Sequence, residues 1–181
     1  MTTAAVTPVA ANVVRPFQRY LTEAGPQENL WTISLRTVIE ANTHRLFEAF
    51  TRPEYLETWL RFPGDDASAR MVGWQEGDGF RLDHYLRGQR DTILRCRFLT
   101  SRRRKLLFTW SLTSETRPPE SLVLVRMRGN FASTILELQH RGSSPAALRS
   151  WQEAMWQTSL HRLADLFGTQ RKQEDTHPGQ L

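Results

Sequence analysis

Apolar and polar side chains alternate along most of the central part of the chain. The first such run places Trp31, Ile33 and Leu35 on one side, and Thr32 and Ser34 on the other. A period of two residues is typical of a β-strand with one buried face. Similar runs, separated by turn residues, cover about 67–72, 80–86, 92–99, 106–112, 122–128 and 132–140. The pattern predicts a largely antiparallel sheet.

The predicted strands agree on which of their faces is apolar. An antiparallel sheet with one buried and one solvated face gives this pattern. The predicted buried face carries Phe80, Leu82, His84, Leu86, Leu94, Cys96, Phe98, Leu106, Phe108, Trp110, Val123, Val125, Met127, Thr134, Leu136, Leu138 and His140. The predicted solvated face carries Arg81, Asp83, Arg95, Arg97, Thr109, Arg126, Arg128, Glu137 and Gln139.

Three helices are predicted around this sheet. Asn42 can cap a first short helix, and residues 51–54 (TRPE) have the form of a capping box with Pro in the first turn of a second. A long helix follows Ser144 and Pro145 and is expected to end at Gly168. Its apolar residues recur at three- and four-residue spacing, as a cover for the apolar face requires: Leu148, Trp151, Met155, Trp156, Leu160, Leu163 and Phe167.

The fold class that follows is α+β, with a curved antiparallel sheet wrapped around a long C-terminal helix. A chain of 181 residues fits one domain with tails. We expect residues 1–27 to be a partly disordered N-terminal extension, 28–167 the ligand-binding domain and 168–181 a polar C-terminal tail. Because long strands twist and curl, the sheet and helix are expected to part at one end and leave an apolar cavity.

The composition narrows the function classes. A single cysteine, Cys96, excludes an intramolecular disulfide framework, and the five histidines show no metal-ligand spacing. We expect neither a metal nor a cofactor. The first 14 residues lack a positively charged region and a continuous apolar stretch, so no signal peptide is predicted. No apolar run reaches the roughly 20 residues of a membrane span, and a cytoplasmic location is expected.

The net charge is +5, and 24 residues are Lys or Arg, all of them Arg except Lys105 and Lys172. Such a balance can indicate nucleic-acid or phosphate binding. The densest run, residues 102–105 (RRRK), falls in a predicted hairpin turn without an interleaved aromatic residue for base stacking. We interpret it as a solvated turn, and nucleic acid is disfavoured as a partner.

Four local motifs occur in an order typical of one family. Residues 41–54 (ANTHRLFEAFTRPE) with Trp59 are similar to an opening of the form AP-x-E-x-V-W-x-A-L-T-x-P-E followed by Trp. Residues 106–110 (LLFTW) are similar to L-x-x-T-W, residues 134–142 (TILELQHRG) to T-x-L-x-L-x-H-x-G, and residues 155–163 to G-W-x-x-x-L-x-x-L. The chain resembles the START-like (SRPBCC, helix-grip) superfamily and, within it, the heat-shock-protein ATPase activator homologue (Aha-type) family.

The resemblance covers about residues 28–167 and implies a helix-grip fold with a hydrophobic cavity. It does not imply one function, because members bind lipids, hormones or polyketides, act as cyclases, or regulate a chaperone. Asn42 stands where the family usually has Pro, and Met155 where it commonly has Gly. A flexible thioether at Met155 can narrow the cavity.

Two histidines on the apolar face are candidates for chemistry. His84 or His140 could act as a general base or orient a ligand carbonyl. The alternative for each is a structural histidine at a strand end, half exposed or bonded to the backbone. Cys96 could be a nucleophile only beside a base, and buried packing is the favoured interpretation.

Three functions remain open. The first is non-enzymatic binding of a small hydrophobic molecule, lipid-like or aromatic. The second is a cyclase- or hydrolase-type enzyme that uses His84 or His140 as acid or base. The third is a protein-interaction role, as in chaperone regulators, through the Arg-rich face of the sheet. The predicted ligand cavity is lined by Trp59, Phe80, His84, Cys96, Phe98, Phe108, Trp110, Val125, Leu136, His140, Trp151, Met155 and Ser159.

Overall fold

The computed structural model describes residues 7–8, 30–62, 67–75, 78–113, 121–143 and 146–176. Most of the predicted N-terminal extension lies outside these residues, as do the Ser144–Pro145 pair and residues 177–181. The strands are β1 (Thr7–Pro8), β2 (Leu30–Ile39), β3 (Ala67–Gln75), β4 (Gly79–Leu86), β5 (Gln89–Arg102), β6 (Lys105–Thr113), β7 (Ser121–Gly129) and β8 (Thr134–Ser143). The helices are α1 (Thr43–Thr51), α2 (Pro53–Trp59) and α3 (Ala146–Thr176).

All strands of the described chain join one antiparallel sheet in the order β1-β2-β8-β7-β6-β5-β4-β3. Five consecutive hairpin connections build β3 to β8, and β2 then pairs with β8 over its full length. The two-residue β1 pairs with β2 at Leu35 and Arg36. The predicted antiparallel sheet with a long C-terminal helix is confirmed.

The two short helices follow β2 as predicted, but only one has the predicted cap. Asn42 Oδ1 accepts hydrogen bonds from the backbone N–H groups of His44 and Arg45, each at 3.0 Å, and so begins α1. The capping box predicted at residues 51–54 is wrong. Thr51 is the last residue of α1, where its hydroxyl donates to the Phe47 carbonyl, and α2 begins at Pro53 without a side-chain cap.

The predicted end of the long helix is also wrong. The helix α3 continues through Gly168 to Thr176. A glycine inside a helix costs only about 1 kcal/mol relative to alanine. Residues 170–174 (QRKQE) are straight-chain helix formers that can offset this cost. A glycine near the expected end of a helix is therefore a weak termination signal when the residues after it still favour a helix.

The core lies between α3 and the inner face of the sheet, which is the face predicted to be apolar. Its members from different strands are buried almost completely, with Leu82, Leu94, Val125 and Leu136 at 0% exposure. On α3, the side chains that face this surface are Met155, Trp156, Leu160, Leu163 and Phe167. The account of one apolar face covered by the last helix is confirmed for these residues.

The outer face is less uniformly solvated than predicted. Leu107, Leu122 and Leu124 form a second buried cluster there, with Leu99 packed against it. Asp83, predicted to be solvated, is also buried at 3% exposure. Its carboxylate accepts two hydrogen bonds from the Arg81 guanidinium, at 2.8 and 3.1 Å, so the buried charge is paired.

Within the described residues, none of the helices combines the length and the apolar composition that crossing a bilayer requires.

Candidate functional site

Several buried polar side chains lie at one end of the inner face. This is the end at which β7 begins, β8 ends and α3 begins, and we call it the α3-start end. In the strand pairing, Ser121 on β7 lies at this end opposite Trp110 on β6. Val123, also on β7, lies opposite His140 on β8. His84 lies toward the end of β4, on the same side of the sheet. The first turns of α3 cover this end.

His140 is completely buried and uses both of its ring nitrogens. The Trp156 indole N–H donates to Nδ1 of His140 at 3.0 Å, and Nε2 lies 2.7 Å from the Ser121 hydroxyl. The Ser121 hydroxyl in turn donates to the Trp110 carbonyl oxygen at 3.0 Å. The rings of Trp31, Trp110 and Trp156 surround the imidazole at centroid distances of 5.1, 5.6 and 6.1 Å.

These partners fix the tautomer of His140. An indole nitrogen can only donate, so Nδ1 must be the acceptor and Nε2 must carry the proton. The imidazole therefore donates to Ser121 and cannot take a proton from it. Burial lowers the pKa of His140 to about 3, so the ring stays neutral near pH 7. The pair of Ser121 and His140 is a structural network, without the geometry of an activated nucleophile.

His84 contrasts with His140 because neither of its ring nitrogens has a hydrogen-bond partner in the described part of the chain. The residue is 1% exposed. Phe62 stacks on its imidazole face to face, with ring centroids 3.6 Å apart and planes within 1°. Burial lowers the pKa of His84 to about 4, although the negative charges of Asp83 and Asp91 act in the opposite direction and raise it.

Two further polar atoms are buried without a partner near this end. They are Oε1 of Gln152 on α3 and Nε1 of Trp110 on β6. Gln152 follows Trp151, whose ring meets Phe62 edge-on at 4.7 Å, and Trp110 packs on Trp156 at 4.7 Å. The α3-start end thus combines three unpartnered polar side chains with flat apolar rings.

The position of Phe62 is set by hydrogen bonds from α3. The Arg61 carbonyl accepts from the Arg162 guanidinium at 2.8 Å and from the Ser159 hydroxyl at 3.3 Å. These bonds tie the chain after α2 to the middle of α3. They hold the neighbouring Phe62 between His84 and Trp151.

The structure divides the predicted cavity residues into three groups. His84, Trp110, His140, Trp151 and Met155 lie at or near the α3-start end. A second group, further along the inner face, includes Phe80, Phe98 and Phe108, whose rings are linked at 6.0 and 5.7 Å. The remaining inner-face members of that group are Cys96, Val125 and Leu136.

Trp59 forms the third group, apart from the others. Its indole N–H donates to the Ala49 carbonyl at 2.8 Å and its ring packs on Phe50, so it joins α1 to α2. Ser159 is completely buried and contacts the Arg61 carbonyl. Trp59 therefore joins the two short helices, and Ser159 ties the chain after α2 to the middle of α3.

Several residues at this end were not among the sequence-based candidates. Phe62 follows a helix in a segment without periodicity, so no pattern marks it. Gln152 falls on the buried stripe of α3, and a polar residue within an apolar stripe is a signal that could have identified it. Ser121 begins β7, where its spacing from Val123 and Val125 places it on the inner face.

A separate groove lies on the outer face and measures about 620 Å³. The side chains of Arg81, Arg95 and Arg97 line it, together with Thr109 and the partly exposed Trp74. The Arg97 backbone N–H donates to the Thr109 hydroxyl at 3.2 Å. Within the described ranges, no three His, Cys, Asp or Glu side chains converge as they would around a metal ion.

The antiparallel sheet folded over a C-terminal helix, with buried polar groups where the two meet, defines a helix-grip protein of the START-like class. A family model described as activator of Hsp90 ATPase homolog 1-like protein matches residues 40–168. The chain belongs to this family, as the sequence motifs indicated.

Solved structures agree with this fold. Protein CV1439 from Chromobacterium violaceum is similar at 20% identity and a TM-score of 0.65, over 78% of this chain and 98% of that one. An AHSA1 protein from Silicibacter pomeroyi is similar at 15% identity and a TM-score of 0.67, over 77% and 99%. CalU16 from Micromonospora echinospora is similar at 18% identity and a TM-score of 0.54, over 94% and 88%. No curated protein sequence matches the chain.

Proposed function

We propose that this chain binds a small hydrophobic molecule between α3 and the inner face of the sheet, at the α3-start end. The observation that carries the proposal is the environment of His84. Its imidazole is 1% exposed and stacked on Phe62, yet neither ring nitrogen has a partner in the described part of the chain. Membership of a START-like family is consistent with this location.

The energetic argument concerns the unpartnered polar atoms. A buried donor or acceptor without a partner costs about 1–3 kcal/mol. His84, Gln152 and Trp110 each contribute such atoms, two of them on His84. A ligand that supplies the missing donors and acceptors would recover part of this cost on binding.

The chemistry of these groups describes the ligand. A neutral imidazole offers one donor and one acceptor, the Gln152 carbonyl offers an acceptor, and the Trp110 indole offers a donor. Phe62 and Trp151 offer apolar ring surfaces. A lipid-like or aromatic molecule with one hydroxyl or carbonyl group satisfies both requirements.

A binding role fits His84 better than acid–base catalysis. A general base works best when its pKa lies near the operating pH. Burial holds the pKa of His84 at about 4, so the ring is neutral near pH 7 and its conjugate acid is too strong to persist there. The cyclase- or hydrolase-type alternative therefore has the weaker physical support.

The test is a titration with anilinonaphthalene sulfonate, a fluorescent apolar probe, followed by displacement with naphthol and with fatty acids. We expect His84→Leu to weaken naphthol binding about tenfold, because it removes one hydrogen bond. The matched control is His161→Leu, at an exposed position of α3. Failure of every apolar probe to bind the wild-type chain would refute the proposal.

A second candidate function is the binding of an acidic protein partner in the outer groove. Arg95, Arg97 and the exposed Trp74 line that groove, together with Asp78 and with Arg81, whose charge is paired with Asp83. Aromatic and Arg side chains are enriched in protein interfaces. The family description supplies a first partner to test, an Hsp90-type chaperone. Stimulation of the chaperone ATPase should be lost in Arg97→Glu and at raised salt. Unchanged stimulation in that variant would exclude the groove.

A further inference from the structure

The turn between β7 and β8 presents a large apolar side chain to solvent. Phe131 is 90% exposed, more than any other large hydrophobic residue in the described part of the chain. Single exposed apolar residues are common on proteins. The surroundings of Phe131 distinguish it from such residues.

The turn holds Phe131 in a fixed position. Asn130 Oδ1 accepts from the backbone N–H groups of Ala132 at 2.8 Å and Ser133 at 3.0 Å. The Asn130 N–H donates to the Ser133 carbonyl at 3.0 Å and closes the turn. A Cβ at Gly129 would overlap the Ser133 carbonyl oxygen, so this close turn requires glycine. The exposed ring is therefore presented by an ordered hairpin.

The basic turn between β5 and β6 lies directly beside this hairpin. The Met127 N–H donates to the Arg104 carbonyl at 3.0 Å, and Lys105 pairs with Arg126 in the sheet register. The strand β7 runs on past Met127 to Gly129 before it turns. Phe131 consequently projects beyond the basic turn.

Five exposed cationic side chains lie on the two adjacent turns at this end of the sheet, the same end as Phe131. We call the set of Arg102, Arg103, Arg104, Lys105, Arg128 and Phe131 the basic tip. Glu40 is an exposed acidic residue at the same end of the sheet, since it follows the pairing of Ile39 with Thr134. The cations outnumber it, and the tip remains strongly positive.

We propose that the basic tip docks this protein on an anionic lipid surface, with Phe131 inserted at the boundary between the lipid head groups and the acyl chains. Cations near such a surface attract it, and an aromatic side chain gains free energy by entering the interface. The shape selects lipid over other acidic partners. A projecting ring on a convex turn can enter a fluid interface, whereas a peptide or a nucleic-acid strand would need a groove to enclose it.

This inference does not depend on the proposed ligand site, because the basic tip is at the opposite end of the sheet from the α3-start end. The experiment is co-sedimentation of the full chain with vesicles of phosphatidylcholine alone, and of phosphatidylcholine mixed with phosphatidylglycerol. We expect binding to the mixed vesicles that weakens as salt is raised. Absence of binding to the mixed vesicles at low salt would overturn the proposal.

Two variants separate attraction from insertion. Arg103→Gln with Arg104→Gln should lower the vesicle partition coefficient about twenty-five-fold, since each cation contributes about fivefold. Phe131→Ser should lower it about tenfold. All three positions are exposed, so thermal unfolding should be unchanged. If Phe131→Ser bound as well as the wild type, insertion would be excluded.

Matched controls lie at the other end of the sheet. Leu86→Ser removes an apolar side chain that is 45% exposed, and Arg149→Gln removes an exposed charge at the start of α3. Neither should change vesicle binding. Equal losses in the controls would show that net charge or general hydrophobicity, rather than the basic tip, drives the interaction. Binding of the protein to RNA in a parallel pull-down, without binding to the mixed vesicles, would likewise contradict the proposal.

Insertion can also be observed directly. Phe131→Trp places an indole at the tip, and brominated phospholipids quench indoles that enter the acyl region. We expect bound Phe131→Trp protein to be quenched more strongly than the wild type, whose own Trp residues are the baseline. Equal quenching of the two proteins would place the ring outside the lipid.

Discussion

Trp156 donates its indole N–H to Nδ1 of His140 over 3.0 Å, in a part of the core where both side chains are fully buried. This single bond decides what the histidine can do. Because Nδ1 is an acceptor, the proton sits on Nε2 and is donated to Ser121. The motif residue His140 therefore anchors α3 to the end of β8.

Replacing Trp156 tests this anchoring role. Trp156→Phe retains an apolar ring but leaves Nδ1 of His140 buried without a donor. We expect the free energy of unfolding to fall by about 1–3 kcal/mol, measured by urea denaturation. The control is Trp74→Phe, which removes an indole bond to the Thr51 carbonyl at an exposed site and should cost less than about 1 kcal/mol. Similar losses in both variants would argue against a special role for the pair.

The two buried histidines predict a pH dependence of stability. Histidine has a pKa of about 6.5 in the unfolded chain, whereas burial lowers the pKa of His84 to about 4 and that of His140 to about 3. At pH values between the folded and unfolded pKa of each histidine, the unfolded chain binds more protons than the folded chain, so the free energy of unfolding rises with pH. The contribution is complete above about pH 6.5 and is lost progressively as pH falls toward the folded values.

Urea denaturation across this window measures the effect. The slope should approach about 1.4 kcal/mol per pH unit for each histidine toward the acid side of this window, a loss of roughly 3 kcal/mol for both between pH 6.5 and 5. His84→Leu should halve the slope, and the exposed control His161→Leu should leave it unchanged. A flat profile in the wild type would show that neither imidazole is held neutral.

Gly79 predicts a steric effect in the sheet. A Cβ there would overlap the Cys96 carbonyl oxygen and lie 3.0 Å from Arg97 Cα, both of them backbone atoms that cannot move freely. We expect Gly79→Ala to cost about 2–3 kcal/mol in unfolding free energy. Gly73→Ala is the control, because its Cβ would meet only Arg81 Cβ, at 3.9 Å. If the two variants were equally stable, the close approach of β4 to β5 would be disproved.

Much of the fold could be predicted because local signals agreed with one another. Period-two runs such as the one from Trp31 onward located the strands, and the Asn42 cap located α1. The helix end at Gly168 could not be predicted reliably, since it depends on a balance of about 1 kcal/mol between glycine and its neighbours. Leu107, Leu122 and Leu124 were missed because alternation assigns a face but does not report what covers it.

The candidate site could be predicted from the sequence only in part. The inner-face position of His84 and His140 follows from alternation, but their opposite chemical states do not. Those states depend on Trp156 and Phe62, which reach the histidines from other elements. A side chain positioned by a long-range contact leaves no periodic mark in the sequence, and Phe62 is the clearest case.

The most direct measurement of the proposed ligand site is the side-chain ¹⁵N spectrum of the histidines during a titration with naphthol. We predict that the ring nitrogens of His84 shift as the ligand supplies their missing hydrogen bonds, while those of His140, already bonded to Trp156 and Ser121, stay unchanged. Saturable naphthol binding that leaves the His84 resonances in place would contradict the account.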